Sequence, residues 1–115
     1  MNPASLKESE ALDAVIVGAG IAGLYLVYRL RELGLTIKVF ETGSDLGGTW
    51  FWNRYPGARF DSESYSYGYS WSQELLEEWE WTEHFAGQPE TLNYLNFYCI
   101  RFLIKRHFQT LHLQL

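Results

Sequence analysis

Glycines at positions 18, 20 and 23 stand between two short apolar runs, and this arrangement restricts the chain more than any other feature of its 115 residues. Residues 12–17, bounded by glycine, have the composition of a buried parallel strand. From Ile21 onward apolar residues recur at Leu24, Val27 and then Leu30 or Leu33, which is helical spacing, and Gly34 supplies a stop. Residues 35–40 (Leu-Thr-Ile-Lys-Val-Phe) are apolar and β-branched and predict a second strand. A strand–helix–strand unit of about thirty residues has the length that a parallel crossover needs, and its expected hand is right. The expected fold class is therefore α/β, the N-terminal part of a three-layer Rossmann-like domain with a parallel sheet.

Gly18-Ala19-Gly20-Ile21-Ala22-Gly23 is a GxGxxG run, and its position after a strand and at the opening of a helix gives it weight. Gly18 permits the tight turn, Gly20 lets the backbone approach a pyrophosphate at the helix N-terminus, and Gly23 lets the helix lie close to the strand. Glu41 ends the second strand 18 residues after Gly23. A carboxylate there accepts from ribose hydroxyls and repels a 2′-phosphate, so this first site suits FAD or NAD rather than NADP.

The remaining composition excludes several classes. The net charge is -5, and no basic patch precedes the last fifteen residues, which argues against nucleic acid. No apolar run approaches the roughly 20 residues of a membrane span. Residues 1–12 carry Lys7, Glu8 and Glu10 and read as a flexible lead-in without a signal-peptide core. Cys99 is the single cysteine, which rules out a disulfide within the chain and makes a reducing, cytoplasmic setting the default. His84, His107 and His112 have no metal-ligand spacing with Cys99, so no metal site is expected.

Beyond Glu41 the residues turn to glycine, serine and aspartate at 42–48, then to an irregular aromatic loop at 49–57. Residues 65–71 alternate rings with Ser or Gly and predict a short strand, and 72–80 predict a helix opened by Ser72. Pro89 fits the first turn of a further helix through Leu92 and Leu95. The many rings suit either a surface that meets another domain or direct contact with a cofactor. From Phe97 to Ile104 almost every side chain is apolar, so that helix loses its polar face and needs burial that a chain of this size does not provide.

The run Gly47-Gly48-Thr49-Trp50-Phe51-Trp52-Asn53-Arg54-Tyr55-Pro56-Gly57, followed by Ala58-Arg59-Phe60-Asp61-Ser62-Glu63-Ser64, resembles Baeyer–Villiger flavin monooxygenases of the cyclohexanone and phenylacetone type. Glu78-Trp79-Glu80-Trp81-Thr82-Glu83 and Gln88-Pro89-Glu90 continue the likeness, which covers residues 13–97. Flavin-containing monooxygenases that oxidise nitrogen or sulfur share the glycine turn and a GGxW motif, but not the longer extension. The resemblance implies that Gly18, Gly20, Gly23 and Glu41 hold the ADP half of FAD. It implies that Thr49, Trp50, Phe51 and Trp52 contact the flavin side, that Gly48 binds the cofactor, that Asp61 and Tyr67 line the site, and that Arg59 and Asp61 approach the nicotinamide of NADPH. Asp61 is the implied catalytic residue, paired in the family with an arginine from a later segment. Read from the residues alone, Asp61 is a turn carboxylate before Ser62, and Arg54 and Arg59 are ion-pair partners for the acidic stretch that follows. The implied activity is NADPH-dependent insertion of one oxygen atom of O2 into a ketone, giving an ester or lactone through a C4a-peroxyflavin.

The resemblance fades after Phe97, where a family member continues as an amphipathic helix with acidic residues and residues 98–115 are basic and apolar instead. A shifted reading frame or a truncation accounts for that switch, and for a length of about one-fifth of a family member. The expectation is thus an N-terminal FAD-binding segment at 13–97 with an atypical tail at 98–115, inactive alone. The alternatives are a segment of a nitrogen- or sulfur-oxidising monooxygenase, a non-catalytic nucleotide-binding module, and a non-functional truncated product.

Overall fold

The structure is a computed structural model that describes residues 11–103 and the backbone of 108–110. Most of the expected lead-in, and His107 and His112 in the tail, lie outside the described residues. Strand β1 (Ala14–Val17), helix α1 (Ile21–Glu32) and strand β2 (Ile37–Glu41) form the expected unit. β1 and β2 pair in parallel with Ala14 opposite Ile37 and Val17 opposite Phe40. β3 (Phe108–Thr110) adds to the other edge of β2, also in parallel, so the order is β1-β2-β3.

The register decides which face of the sheet enters the core. Ile16 sits opposite Val39, and both are buried against Leu24 and Val27 of α1. Val15 and Val17 point to the opposite face and are 49% and 74% exposed. Among the described residues the helical layer therefore covers one face of β1.

Helix α1 ends as its sequence predicts. Leu33 is the C-cap, Gly34 follows at φ +75°, the Gly34 N–H donates to the Arg31 carbonyl and the Leu35 N–H to the Leu30 carbonyl. This pair of bonds satisfies carbonyls that the helix end leaves open, and a positive φ there favours glycine.

Three short elements and one long helix follow β2: α2 (Thr49–Trp52), α3 (Ser64–Tyr67), α4 (Gln73–Glu78) and α5 (Gln88–Phe102). Two of these differ from expectation. The 49–57 segment, expected as a loop throughout, opens with a helical turn, because the Phe51 and Trp52 N–H groups both reach the Gly48 carbonyl. The strand expected at 65–71 is instead a turn of helix, with the Ser66 and Tyr67 N–H groups donating to the Glu63 carbonyl. A strand needs a partner for its backbone groups, and a local turn satisfies them without one. The other two follow their local signals. The Ser72 hydroxyl accepts from the Leu75 N–H at 3.2 Å to cap α4, and Pro89 lies in the first turn of α5.

Helix α5 corrects the expectation that the chain has nothing to bury its apolar end. It runs unbroken through residue 97 to Phe102, and Tyr94, Leu95, Tyr98 and Cys99 are buried along one face. The covering mass comes from the aromatic stretch before it. Tyr69 packs on Tyr98 with ring centroids 4.5 Å apart, Trp71 lies edge-on to Phe102 at 5.6 Å, and Trp79 and Trp81 both contact Tyr94. The Tyr98 hydroxyl also donates to the Leu24 carbonyl, which ties α5 to α1. Solvent meets the other face, where Ile100 is 75% exposed and Arg101 pairs with Glu74 and Glu78. The abundant rings thus build the core of this layer, a role that neither sequence reading gave them.

Two predictions follow from this packing. Tyr98→Ala is expected to cost about 3–5 kcal/mol in urea unfolding, as for other buried rings, whereas Ile100→Ala changes stability by less than about 0.5 kcal/mol. Similar losses at both positions would show that α5 is not seated as described.

Burial also raises the phenol pKa values of Tyr69 and Tyr98 above the ordinary range and pushes that of Tyr94 up to about 12. Because these folded-state values lie above the unfolded ones, the associated stability is whole below about pH 10 and is lost as pH rises through the folded values. The urea midpoint should hold level up to about pH 10 and then fall toward pH 12; a level profile across that window would contradict the burial of these phenols.

Candidate functional site

The carboxyl ends of β1 and β2 carry the glycine turn and Glu41 side by side. The Gly18 N–H donates to the Phe40 carbonyl at 2.8 Å, so the turn begins where the ladder ends. Gly18 has φ +99°, a conformation that side-chain-bearing residues rarely adopt. A Cβ on Gly23 would stand 2.1 Å from the Gly18 carbonyl oxygen, which is the close helix–strand approach expected of that position. Gly20 is the N-cap of α1 and offers no side-chain cap, and the first turn holds no acidic residue. The first amides of α1 have no carbonyl partner within the helix and favour negative charge.

Glu41 is more constrained than a ribose acceptor needs to be. It is 9% exposed, its Oε1 accepts from the Ala19 N–H and its Oε2 from the Gly43 N–H, both at 2.8 Å. The carboxylate therefore pins the glycine turn to the segment that follows β2. An ionised carboxyl has about four acceptor directions, so each oxygen retains one for a ligand hydroxyl.

The Gly47-Gly48 pair closes on the glycine turn. The Gly47 N–H donates to the Ala19 carbonyl at 2.9 Å, and a Cβ on Gly48 would lie 2.8 Å from the Gly20 Cα. Gly47 and Gly48 have φ +131° and +56°. Gly20 and Gly48 therefore lack side chains in part because their backbones face each other. Gly48 then caps α2 and delivers Thr49 and Trp52 to the surface, with Phe51 half-buried between them.

Trp50 turns inward. It is 8% exposed, its indole N–H donates to the Tyr67 hydroxyl at 2.8 Å, and its ring stands edge-on to Phe60 and Tyr67. Phe60 and Tyr67 stack at 4.0 Å. The buried Gln88 amide donates to the Trp50 carbonyl, fixing α2 to the start of α5. Arg59 pairs with Glu83 at 3.0 Å and donates to the Phe85 carbonyl, as the ion-pair reading expected. Arg54 instead donates to the Phe51 carbonyl and lies over the Phe51 ring. The Asp61 carboxylate is exposed and has no partner among the described residues.

Ala19, Gly43 and Gln88 are site-building residues to which sequence reasoning gave no role. Gly43 had a signal, since it sits two residues beyond the carboxylate whose charge its amide meets, and a Cβ there would come within 2.8 Å of the Phe51 ring. The backbone role of Ala19 had none. Cys99 is buried, and His84 is exposed with its Nε2 3.9 Å from Glu63. No group of three or more His, Cys, Asp or Glu gathers among the described residues.

A parallel sheet that ends in a glycine turn, a helix N-terminus and a carboxylate defines a nucleotide-binding α/β protein. The chain belongs to the NAD(P)-binding Rossmann-like domain family, whose match spans residues 16–79. Its relatives and structural neighbours are Baeyer–Villiger, cyclohexanone and steroid monooxygenases, as the motifs led one to expect. It is 50% identical over 86 residues to the acetone monooxygenase (methyl acetate-forming) of Gordonia sp. strain TY-5, covering 75% of this chain and 16% of the relative. It is 50% identical over 84 residues to the phenazine N-monooxygenase of Lysobacter antibioticus, covering 72% of this chain and 16% of the relative. The structure of an oxidised steroid monooxygenase bound to NADP superposes with a TM-score of 0.86 at 52% identity, covering 88% of this chain and 19% of that one. The chain thus spans about one-fifth or less of the length of these proteins.

The geometry makes a graded prediction. Gly23→Ala forces its methyl into the Gly18 carbonyl and should cost on the order of 3 kcal/mol in urea unfolding. Gly57→Ala, where the added Cβ meets nothing within 4 Å, carries only the penalty of its φ of +82° and should cost about 1–2 kcal/mol. Equal losses would mean that the turn and helix do not meet as closely as described.

Proposed function

We propose that this chain forms the ADP-binding part of the FAD site of a flavoprotein monooxygenase that uses NADPH and O2 to convert ketones into esters or lactones. The observation that carries the reading is the buried Glu41 carboxylate, bonded to the Ala19 amide inside the glycine turn. Ribose and pyrophosphate are adjacent in a dinucleotide, and here their acceptor and their donors are adjacent too. The donor set fits the group, since the N-terminal amides of α1, which carry no side-chain cap, stand beside the Glu41 carboxylate.

In this reading residues 13–97 are the FAD-binding segment. Gly18, Gly20 and Gly23 present backbone amides to the pyrophosphate, and Glu41 accepts from the adenosine ribose. Gly48, Thr49, Phe51 and Trp52 lie toward the flavin half. Trp50 and Tyr67 act from behind, through the hydrogen bond that fixes α2. Asp61 faces solvent with its charge unspent, and the proposal gives it a cation to hold beside the cofactor. Arg59, which is held by its bonds to Glu83 and Phe85, is assigned to the nicotinamide side. Bound flavin supplies the redox chemistry, taking electrons from NADPH so that one atom of O2 enters the ketone and the other leaves as water. Relatives named for acetone and cyclohexanone support the ketone class. The phenazine N-monooxygenase supports nitrogen oxidation as a second reading. The single, buried cysteine supports assigning the protein to the reducing cytoplasm. No described helix is long and apolar enough to cross a membrane.

Titration of the chain with ADP and with 2′-phospho-ADP-ribose tests the assignment. ADP should bind at least about tenfold more tightly, and Glu41→Gln should bring the two within a few-fold of each other. Equal binding by the unaltered chain would remove Glu41 from the ribose site. Comparing a ketone with an aromatic amine as substrates of the full-length monooxygenase separates the two oxidation classes.

A further inference from the structure

We propose that the face between α4 and α5 carries a second binding site, for an organic ammonium cation, which shares no residue with the nucleotide site. A cavity of about 300 Å³ opens there, lined by Trp79, Trp81, Tyr94 and further rings together with Leu75, Leu76 and Glu80. The indoles of Trp79 and Trp81 stand 5.7 Å apart at 76°, and Tyr94 closes against them at 5.3 and 4.8 Å. Rings at steep angles present both faces and edges to the space they border, and ring faces attract cations. The Tyr94 hydroxyl accepts from the Tyr69 N–H at 2.8 Å, which holds one wall in place.

Charge selects the ligand. Residues 61–90 contain eight carboxylates and no Lys or Arg. The cations that the fold brings to this surface are already engaged, Arg59 with Glu83 and Arg101 with Glu74 and Glu78. Glu80 is exposed and has no partner among the described residues. A neutral apolar guest would gain nothing from this carboxylate, and an anion would be repelled. A metal ion would find one carboxylate where it needs several oxygen ligands. A methylated ammonium is weakly hydrated, fits aromatic walls and neutralises Glu80, which leaves it as the class the site takes.

The test uses the indole fluorescence of the chain titrated with choline and with 3,3-dimethylbutan-1-ol, which has the same shape without the charge. Choline should quench saturably, bind at least about tenfold more tightly than the alcohol, and weaken as salt is raised. Glu80→Gln alters an exposed side chain outside the core and should weaken choline about three- to tenfold while the urea midpoint stays unchanged. Trp81→Leu should abolish the response, but it also removes a core contact, so Glu80→Gln decides the question. Equal binding of the alcohol, a choline affinity unmoved by Glu80→Gln, or no saturable quenching would each overturn the proposal.

Discussion

The carboxylate of Glu41 is the interaction on which the rest of the site depends. Burying an ionised carboxyl costs several kcal/mol unless hydrogen bonds replace the water it loses. Here two backbone amides do so, from Ala19 on one side and Gly43 on the other. Satisfying that charge fixes the glycine turn relative to the end of β2 and starts the next segment on its path. The Gly47 amide then returns to the Ala19 carbonyl, and Gly20 and Gly48 meet backbone to backbone. A single buried carboxylate thus brings together the glycine turn and the Gly47-Gly48 pair.

Behind this site the chain uses aromatic rings where a larger domain would use aliphatic layers. Trp50, Phe60 and Tyr67 fix α2 from below, and Trp81 joins them to the rings over α5 through its edge-on contact with Phe60 at 5.8 Å. The same cluster that anchors α2 therefore seats the long helix. Large rings bury much area per residue and orient one another through edge and face contacts, so a few of them make a rigid support. The layer remains one-sided at β1, where Val15 and Val17 are exposed.

The local signals in the sequence were legible because each rests on neighbours along the chain. The glycine that ends α1, the serine that caps α4 and the proline in the first turn of α5 act within a few residues of themselves. The period of residues 35–40 likewise placed β2 to within a residue or two. The failures were at 49–52 and 65–71, where ring-rich segments lacked a clear period and the backbone took the nearest available carbonyl. The end of α5 was misread for a related reason. Its apolar stretch looked unburied because the rings that cover it lie earlier in the chain and reach it only through the folding of residues 65–81.

By itself the sequence determined the strand–turn–helix–strand unit, the presence of a carboxylate at the nucleotide end, and the family through its motifs. Those follow from backbone conformation, hydrophobic period and residue chemistry at short range. Only the tertiary structure decided what the glycines and the carboxylate do besides meeting a ligand. Gly20 leaves room for the Gly48 backbone, and Glu41 holds two backbone segments through its two carboxylate oxygens. The absence of a Cβ permits a close approach, but which backbone makes it depends on where residues 43–52 come to rest. That is a property of long-range contacts, which the order of residues does not display.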